Sequence, residues 1–170
     1  MNNIMRGLLV FFVCAEGMTA STLRETSRGP DTAPTVANIH AGIISGDGIA
    51  EAGIDLGIAS RISDTAPLYL GANLGIFVAT ESPSYALIPL MLNLYYQFEP
   101  EAVIHPLLGV MAGPVLATGG GFSTVRLGVL FRPGVNIELG KAAVLSLEPR
   151  FGVLGSRFVF IPQVGAIFPI

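Results

Sequence analysis

Residues 50–62 read Ala-Glu-Ala-Gly-Ile-Asp-Leu-Gly-Ile-Ala-Ser-Arg-Ile. The even positions are Ala50, Ala52, Ile54, Leu56, Ile58, Ser60 and Ile62; the odd ones are Glu51, Gly53, Asp55, Gly57, Ala59 and Arg61. All the charges share one parity and nearly all the bulk shares the other. A helix, with about 3.6 residues per turn, would smear both sets around its circumference. A strand places successive side chains on opposite faces, so each set keeps a face of its own. The stretch is predicted to be a strand with one apolar and one polar face.

The same period runs outward in both directions. Leu68, Leu70, Ala72, Leu74, Ile76 and Val78 alternate with Tyr69, Gly71, Asn73, Gly75 and Phe77. Ala86 to Phe98 alternates an apolar even set with Leu87, Pro89, Met91, Asn93, Tyr95 and Gln97. Weaker alternation covers Thr35–Ile44, His105–Leu116, Val125–Glu138, Val144–Val153 and Phe158–Ile170. That makes eight predicted strands, separated by turn-forming clusters such as Ser45–Gly48, Ser63–Pro67, Thr118–Gly121 and Gly155-Ser156.

Composition says where such strands live. The 170 residues are 51% hydrophobic and 12% charged, with a mean hydropathy of +0.65. Soluble domains are about 25% charged. The chain is too apolar for disorder. One cysteine, Cys14, cannot build a disulfide framework. A net charge of −3 with a single lysine provides no basic face for nucleic acid. A bilayer admits only helices and closed barrels. Stretches without formal charge, such as 82–98 and 103–125, are long enough for helices. Their period of two selects the barrel instead.

Two further patterns follow strand parity. The charges inside the predicted strands are Glu51, Asp55, Arg61, Arg126, Arg132, Glu138, Glu148 and Arg150, and each lies on the less apolar face of its strand. Four are acids and four are arginines, so they sum to zero and are predicted to form an interior charge network. An Arg or Lys on the lipid face at the bilayer midplane costs about 2–4 kcal/mol. Glycines take the same inward parity, Gly53, Gly57, Gly71, Gly75, Gly109 and Gly113 among them. Eight strands enclose a space only just wide enough for side chains, so bulky inward groups need bare backbone opposite. Outward aromatics are expected near the rims: Tyr96, Phe98 and Phe168 at one end, Phe151, Phe158 and Phe160 at the other. Prolines oppose the scheme, and bulges or early strand ends are expected at Pro133 and Pro149 in particular.

The first residues read differently. Met1–Ala20 has one positive charge, Arg6, then an apolar run from Gly7 to Ala15, then small residues before Ser21. This is the order of a secretory signal peptide, with cleavage after Ala20 or Ala15. Cys14 follows Val13, which fits a lipoprotein signal poorly. Ser21–Ala33 reads as a polar lead-in. The predicted organisation is a signal peptide over 1–20, a flexible lead-in over 21–33 and a barrel domain over 34–170.

At this point the chain resembles the small outer-membrane β-barrel proteins of the OmpA/OmpX-like type. His105-Pro106-Leu107-Leu108-Gly109-Val110 is similar to the family's Pro-aromatic-x-Gly-x-Gly strand, with Leu107 in place of the aromatic. Ser146-Leu147-Glu148-Pro149-Arg150-Phe151 is similar to its Leu-x-Glu-x-Arg-aromatic strand. The end, Val164-x-Ala166-x-Phe168-x-Ile170, is similar to its C-terminal assembly signal, although it closes on Ile170 and not on an aromatic. The resemblance implies an all-β, eight-stranded, antiparallel, up-and-down transmembrane barrel. Its expected partners are the lipid of a Gram-negative-type outer membrane, reached by the general secretory route, and the barrel insertion machinery.

The expected role is structural, in envelope integrity, for a monomer with no open pore, no enzyme activity and no cofactor. Some barrels of this type act on lipid A or phospholipid through a His and a Ser near the rim. His40 and His105 lie in no such cluster and no metal-ligand spacing. Thr118–Gly121 lacks the lysine and helix of a phosphate loop. The rival readings are an envelope-lipid-modifying enzyme and a soluble periplasmic barrel around an apolar ligand. The latter needs the opposite parity, charges outward and apolar side chains inward.

Overall fold

A computed structural model describes residues 35–79, 85–98, 102–140 and 142–170. The predicted signal peptide and lead-in fall outside the described residues. The described chain is eight strands: β1 (Thr35–Gly46), β2 (Ile49–Arg61), β3 (Leu68–Ala79), β4 (Tyr85–Gln97), β5 (Ile104–Gly119), β6 (Phe122–Glu138), β7 (Val144–Leu154) and β8 (Arg157–Pro169). Each pairs antiparallel with its chain neighbours, and β8 returns to β1, so the sheet is closed in the order β1 to β8. Closure leaves no open edge. Among the described residues no helix is long and apolar enough to cross a membrane.

The alternation in residues 50–62 maps directly onto the barrel wall. Glu51, Asp55 and Ala59 are buried inside, while Ala52, Leu56 and Ile58 are exposed outside. The outward positions of all eight strands carry no formal charge among the described residues. They present aliphatic side chains such as Leu74, Leu90, Leu92, Val110, Val129 and Val164. Of the outward aromatics, Tyr96 packs edge-on to Phe98 at 4.8 Å, and Phe151 packs edge-on to Phe131 of β6 at 5.1 Å.

Inward glycines sit across from inward bulk in the strand register. Phe77 faces Gly53, Tyr95 faces Gly109, and His40 faces Gly165. The spacing is tight: a Cβ on Gly53 would lie 2.0 Å from the Ile76 carbonyl oxygen and 2.6 Å from Phe77 Cα. The strands can approach there only because the position is bare.

The structure corrects the proline expectation. β6 and β7 do not end early or bulge at Pro133 and Pro149. Phe131 pairs with Phe151 and Val135 with Leu147, the same register on both sides of the prolines. The ladder lapses between those pairs and then resumes. Similar lapses accompany Pro89 between β3 and β4, Pro114 between β4 and β5, and Pro162 between β8 and β1. Each proline stays paired on its other side, for example Pro149 with Pro162 and Pro133 with Leu108. In an antiparallel ladder a residue's N–H and C=O point toward one neighbour. A proline therefore weakens a single seam and leaves the other intact.

The three described turns at the end away from β1's start have two residues each. Asp47-Gly48 links β1 and β2 with φ values of 51° and 75°, the left-handed pair that a two-residue hairpin requires. Thr118 and Gly119, expected in a loop, extend β5, and only Gly120-Gly121 form the turn.

Gly53→Val should abolish the compact, heat-modifiable form on gels. Ala52→Val, one residue along on the outer face, should leave it intact. Equal tolerance of both substitutions would overturn the inward–outward assignment.

Candidate functional site in the barrel lumen

The lumen is layered. An apolar cluster of Ile44, Phe77, Leu87, Met91, Met111, Val115, Leu130, Leu154, Val159 and Ile161 fills one half. A smaller one, Val36, Ala59, Tyr69, Tyr95, Val144 and Ile167, lies toward the other end. Polar side chains occupy the level between them, placed there by the same strand parity.

Glu148 on β7 is the hub. Arg132 on β6 donates to both of its oxygens, Nε to Oε2 at 2.7 Å and Nη2 to Oε1 at 2.5 Å. Arg150, two residues along β7 and so on the same face, donates Nε and Nη2 to Oε2 at 3.0 and 2.8 Å. Ser146 Oγ donates to Oε1 at 2.9 Å. Arg150 then reaches across the lumen to Asp55 Oδ2 on β2, at 3.4 Å. Asp55 Oδ1 accepts from Asn73 Nδ2 at 2.5 Å, Asn73 also donates to Asn38, and Asn93 donates to Asn73. His40 fits into this group with Nε2 at 3.2 Å from Glu148 Oε1 and Nδ1 at 3.9 Å from Asp55 Oδ1, although neither nitrogen has hydrogen-bond alignment. Arg132 also lies 4.5 Å over the ring of Tyr95, which stacks on Tyr69 at 5.0 Å. The two acids and the two arginines balance in formal charge, and His40 packs among them. All five side chains are buried.

The eight charges expected to share the interior do not form one group. Asp55, Arg132, Glu148 and Arg150 meet in the central layer. Glu51 is buried nearer the short-turn end, where Arg157 Nη1 donates to it at 2.7 Å and Tyr85 Oη donates to it as well. Arg61 turns into the β2–β3 connection and donates to the carbonyls of Ser63 at 2.9 Å and Ala66 at 3.2 Å. Glu138 is partly exposed at the same end, 3.7 Å from His105 Nε2. Arg126 is exposed at the opposite rim and donates to Ser156 Oγ at 2.9 Å. The interior assignment of Arg126 is thus corrected. Its parity is inward, but β6 continues past the end of β7, so no facing wall covers it.

The sequence reading missed Arg157, the partner of Glu51, because it started the last strand at Phe158. Continuing the inward set Gly165 and Gln163 back by steps of two reaches Arg157. The neutral members Asn38, Asn73, Asn93 and Ser146 were readable by the same parity. Ser146 lies two residues before Glu148 on one face of β7, but nothing in their spacing links Asn38, Asn73 and Asn93 to Asp55, because those contacts cross strands.

No protein-family model matches the sequence, and a search of the curated proteins finds no match. Solved structures do match. Neisserial surface protein A superposes with a TM-score of 0.66 at 15% identity, covering 80% of this chain and 96% of that one. The N-terminal β-barrel domain of Pseudomonas aeruginosa OprF matches with a TM-score of 0.50 at 11% identity, covering 78% and 96%. The Yersinia pestis outer membrane protein Ail in a phospholipid nanodisc matches with a TM-score of 0.52 at 9% identity, covering 78% and 97%. The chain has the fold of the small eight-stranded outer-membrane β-barrels.

Removing one member of a buried ion pair leaves its partner uncompensated and costs about 3–5 kcal/mol. Glu148→Gln should destabilise the barrel by about that much in urea unfolding from detergent or vesicles. The exposed Arg126→Gln should change it by less than about 0.5 kcal/mol. Indistinguishable midpoints would show that Glu148 does not organise the lumen.

Proposed function

We propose that this protein is an integral barrel of a Gram-negative-type outer membrane with a structural, envelope-integrity role and a closed lumen. One observation carries the reading: among the described residues, the outward face of eight strands bears no formal charge, while the charges turn inward or sit at the rims. A soluble barrel around an apolar ligand needs the reverse. Hydrocarbon on the outside and paired ions inside is the arrangement whose energy depends on lipid.

The central layer supports the closed lumen. Eight strands leave little more than side-chain room, and here that room holds Arg132, Arg150, Glu148, Asp55 and His40 between two apolar clusters. His40 and His105 are each 0% exposed, which opposes a rim histidine acting on envelope lipid. Phe168 and the C-terminal β8 are proposed to serve insertion, with the protein crossing the inner membrane by the secretory route and working as a monomer.

Leu92 is 66% exposed near the middle of β4. In lipid vesicles, Leu92→Arg should cost about 2–4 kcal/mol of unfolding free energy. A soluble barrel would lose almost nothing, so a null result would overturn the membrane reading. Purified protein in planar bilayers should give no unitary conductance above a lipid-only control, and steady openings would overturn the closed lumen. Deleting the gene should raise uptake of an apolar dye by whole cells, reversed by the wild-type gene. Unchanged uptake would overturn the envelope role.

A further inference from the structure

The two ends of the β6–β7 seam are unequal. β5 and β6 stay paired up to Gly119 and Phe122, whereas the β6–β7 ladder ends at Gly128 and Leu154, with a last backbone bond from Gly155 N–H to the Leu127 carbonyl at 2.8 Å. Past that point β7 turns into β8 through Gly155-Ser156 alone. Residues 122–126 of β6 therefore stand above a low stretch of wall. Behind the notch lies a cavity of about 210 Å³, lined mainly by Leu87, Val115, Ala117, Phe122 and Leu154. Leu87, Val115 and Leu154 belong to the buried apolar cluster, so the cavity floor is apolar core, while Tyr85, Thr124, Arg126 and Arg157 line its mouth. Outside the notch, Val125, Leu127 and Phe158 are exposed on the outer face. Apolar surface is thus available both within the wall and outside it, with only the two-residue turn between.

Among the described residues, the two arginines at the mouth are paired unequally. Arg157 is met by Glu51 at 2.7 Å and Asp47 at 3.7 Å, and it also donates to Tyr85 and the Gly46 carbonyl. Arg126 meets no carboxylate among the described residues. Its stem is laid across Gly155, where a Cβ would fall 2.5 Å from Arg126 Cδ, and Ser156 holds its Nη1 at 2.9 Å. A guanidinium fixed at the lip of an apolar cavity suits a planar anion attached to hydrocarbon.

We propose that this notch binds a single-chain anionic amphiphile, a fatty carboxylate dissolved in the bilayer. Its chain end enters the cavity over Gly155 and its carboxylate rests on Arg126. A dry cavity of ~150 Å³ already accepts a small apolar guest. The volume here admits the end of one chain, which excludes the body of a two-chain lipid. The proposal rests on the barrel being embedded in lipid.

The test uses the full-length mature protein in phosphatidylcholine nanodiscs, with laurate as the probe and amide NMR shifts as the readout. Saturable shifts at Leu87, Ala117 and Leu154 are expected with laurate, and none with dodecyltrimethylammonium. Arg126→Gln should weaken the apparent laurate affinity about tenfold, the loss of one charge-assisted bond. Ala117→Phe should remove the saturable shift at Leu154 while strand circular dichroism persists. If that variant does not fold, Thr124→Phe fills the same cavity and takes its place. Shifts linear in laurate, equal shifts with the cationic amphiphile, or indifference to both substitutions would overturn the proposal while leaving the membrane reading in place. Failure of the wild type to enter nanodiscs would overturn the membrane reading itself.

Discussion

A sheet in hydrocarbon must pair its own backbone, and a sheet of eight strands can do so throughout only by closing. That constraint organises the rest of the molecule. Closure turns the period of two into an inside and an outside. The outside then has to be hydrocarbon, and the inside has to fill a space barely wider than its side chains. The glycine parity, the neutral balance of the central ions and the scarcity of charge are consequences of those two demands. The 12% charged composition fits a surface that is mostly lipid-facing and turns that are short.

The central ions show how a narrow lumen sets the terms for polar groups. A lone carboxylate at the level of Glu148 would be costly so far from water. With two guanidinium groups and a serine hydroxyl directed at it, that carboxylate becomes a cross-brace joining β6 and β7, and Arg150 carries the brace to β2 through Asp55. Breaking such a group costs more than forming it gains. Its value therefore lies in fixing which strands face one another across the lumen. The prolines show the converse tolerance. Each gives up a donor on one side only, and the register of Phe131 with Phe151 and Val135 with Leu147 passes through unchanged. Proline in a closed sheet can be a local loosening of one seam without a break in the barrel.

Strand existence and facing were legible because they depend on local alternation. Residues 50–62 display inward and outward sets with no knowledge of any other strand, and the eight segments read from period alone match the eight strands to within a few residues at most ends. The interior set was legible only as a parity class. Asp55, Arg132, Glu148 and Arg150 lie up to 95 positions apart, and their meeting depends on register and barrel curvature. The same reasoning placed Arg126 inside, and it failed there because parity says which way a side chain points and not whether anything stands opposite. Arg157 was lost to a strand start set one residue late.

The sequence by itself determined that the chain is a closed transmembrane-type sheet, which face of each strand meets lipid, and which residues point inward. Those properties follow from a two-residue period and from the cost of placing charge in hydrocarbon. Only the tertiary structure decided which inward residues touch, that Glu148 unites two arginines, and that β6 overtops β7 to leave a notch beside Arg126. Those outcomes depend on how far each strand extends relative to its neighbours around the barrel, a relation that no single strand encodes.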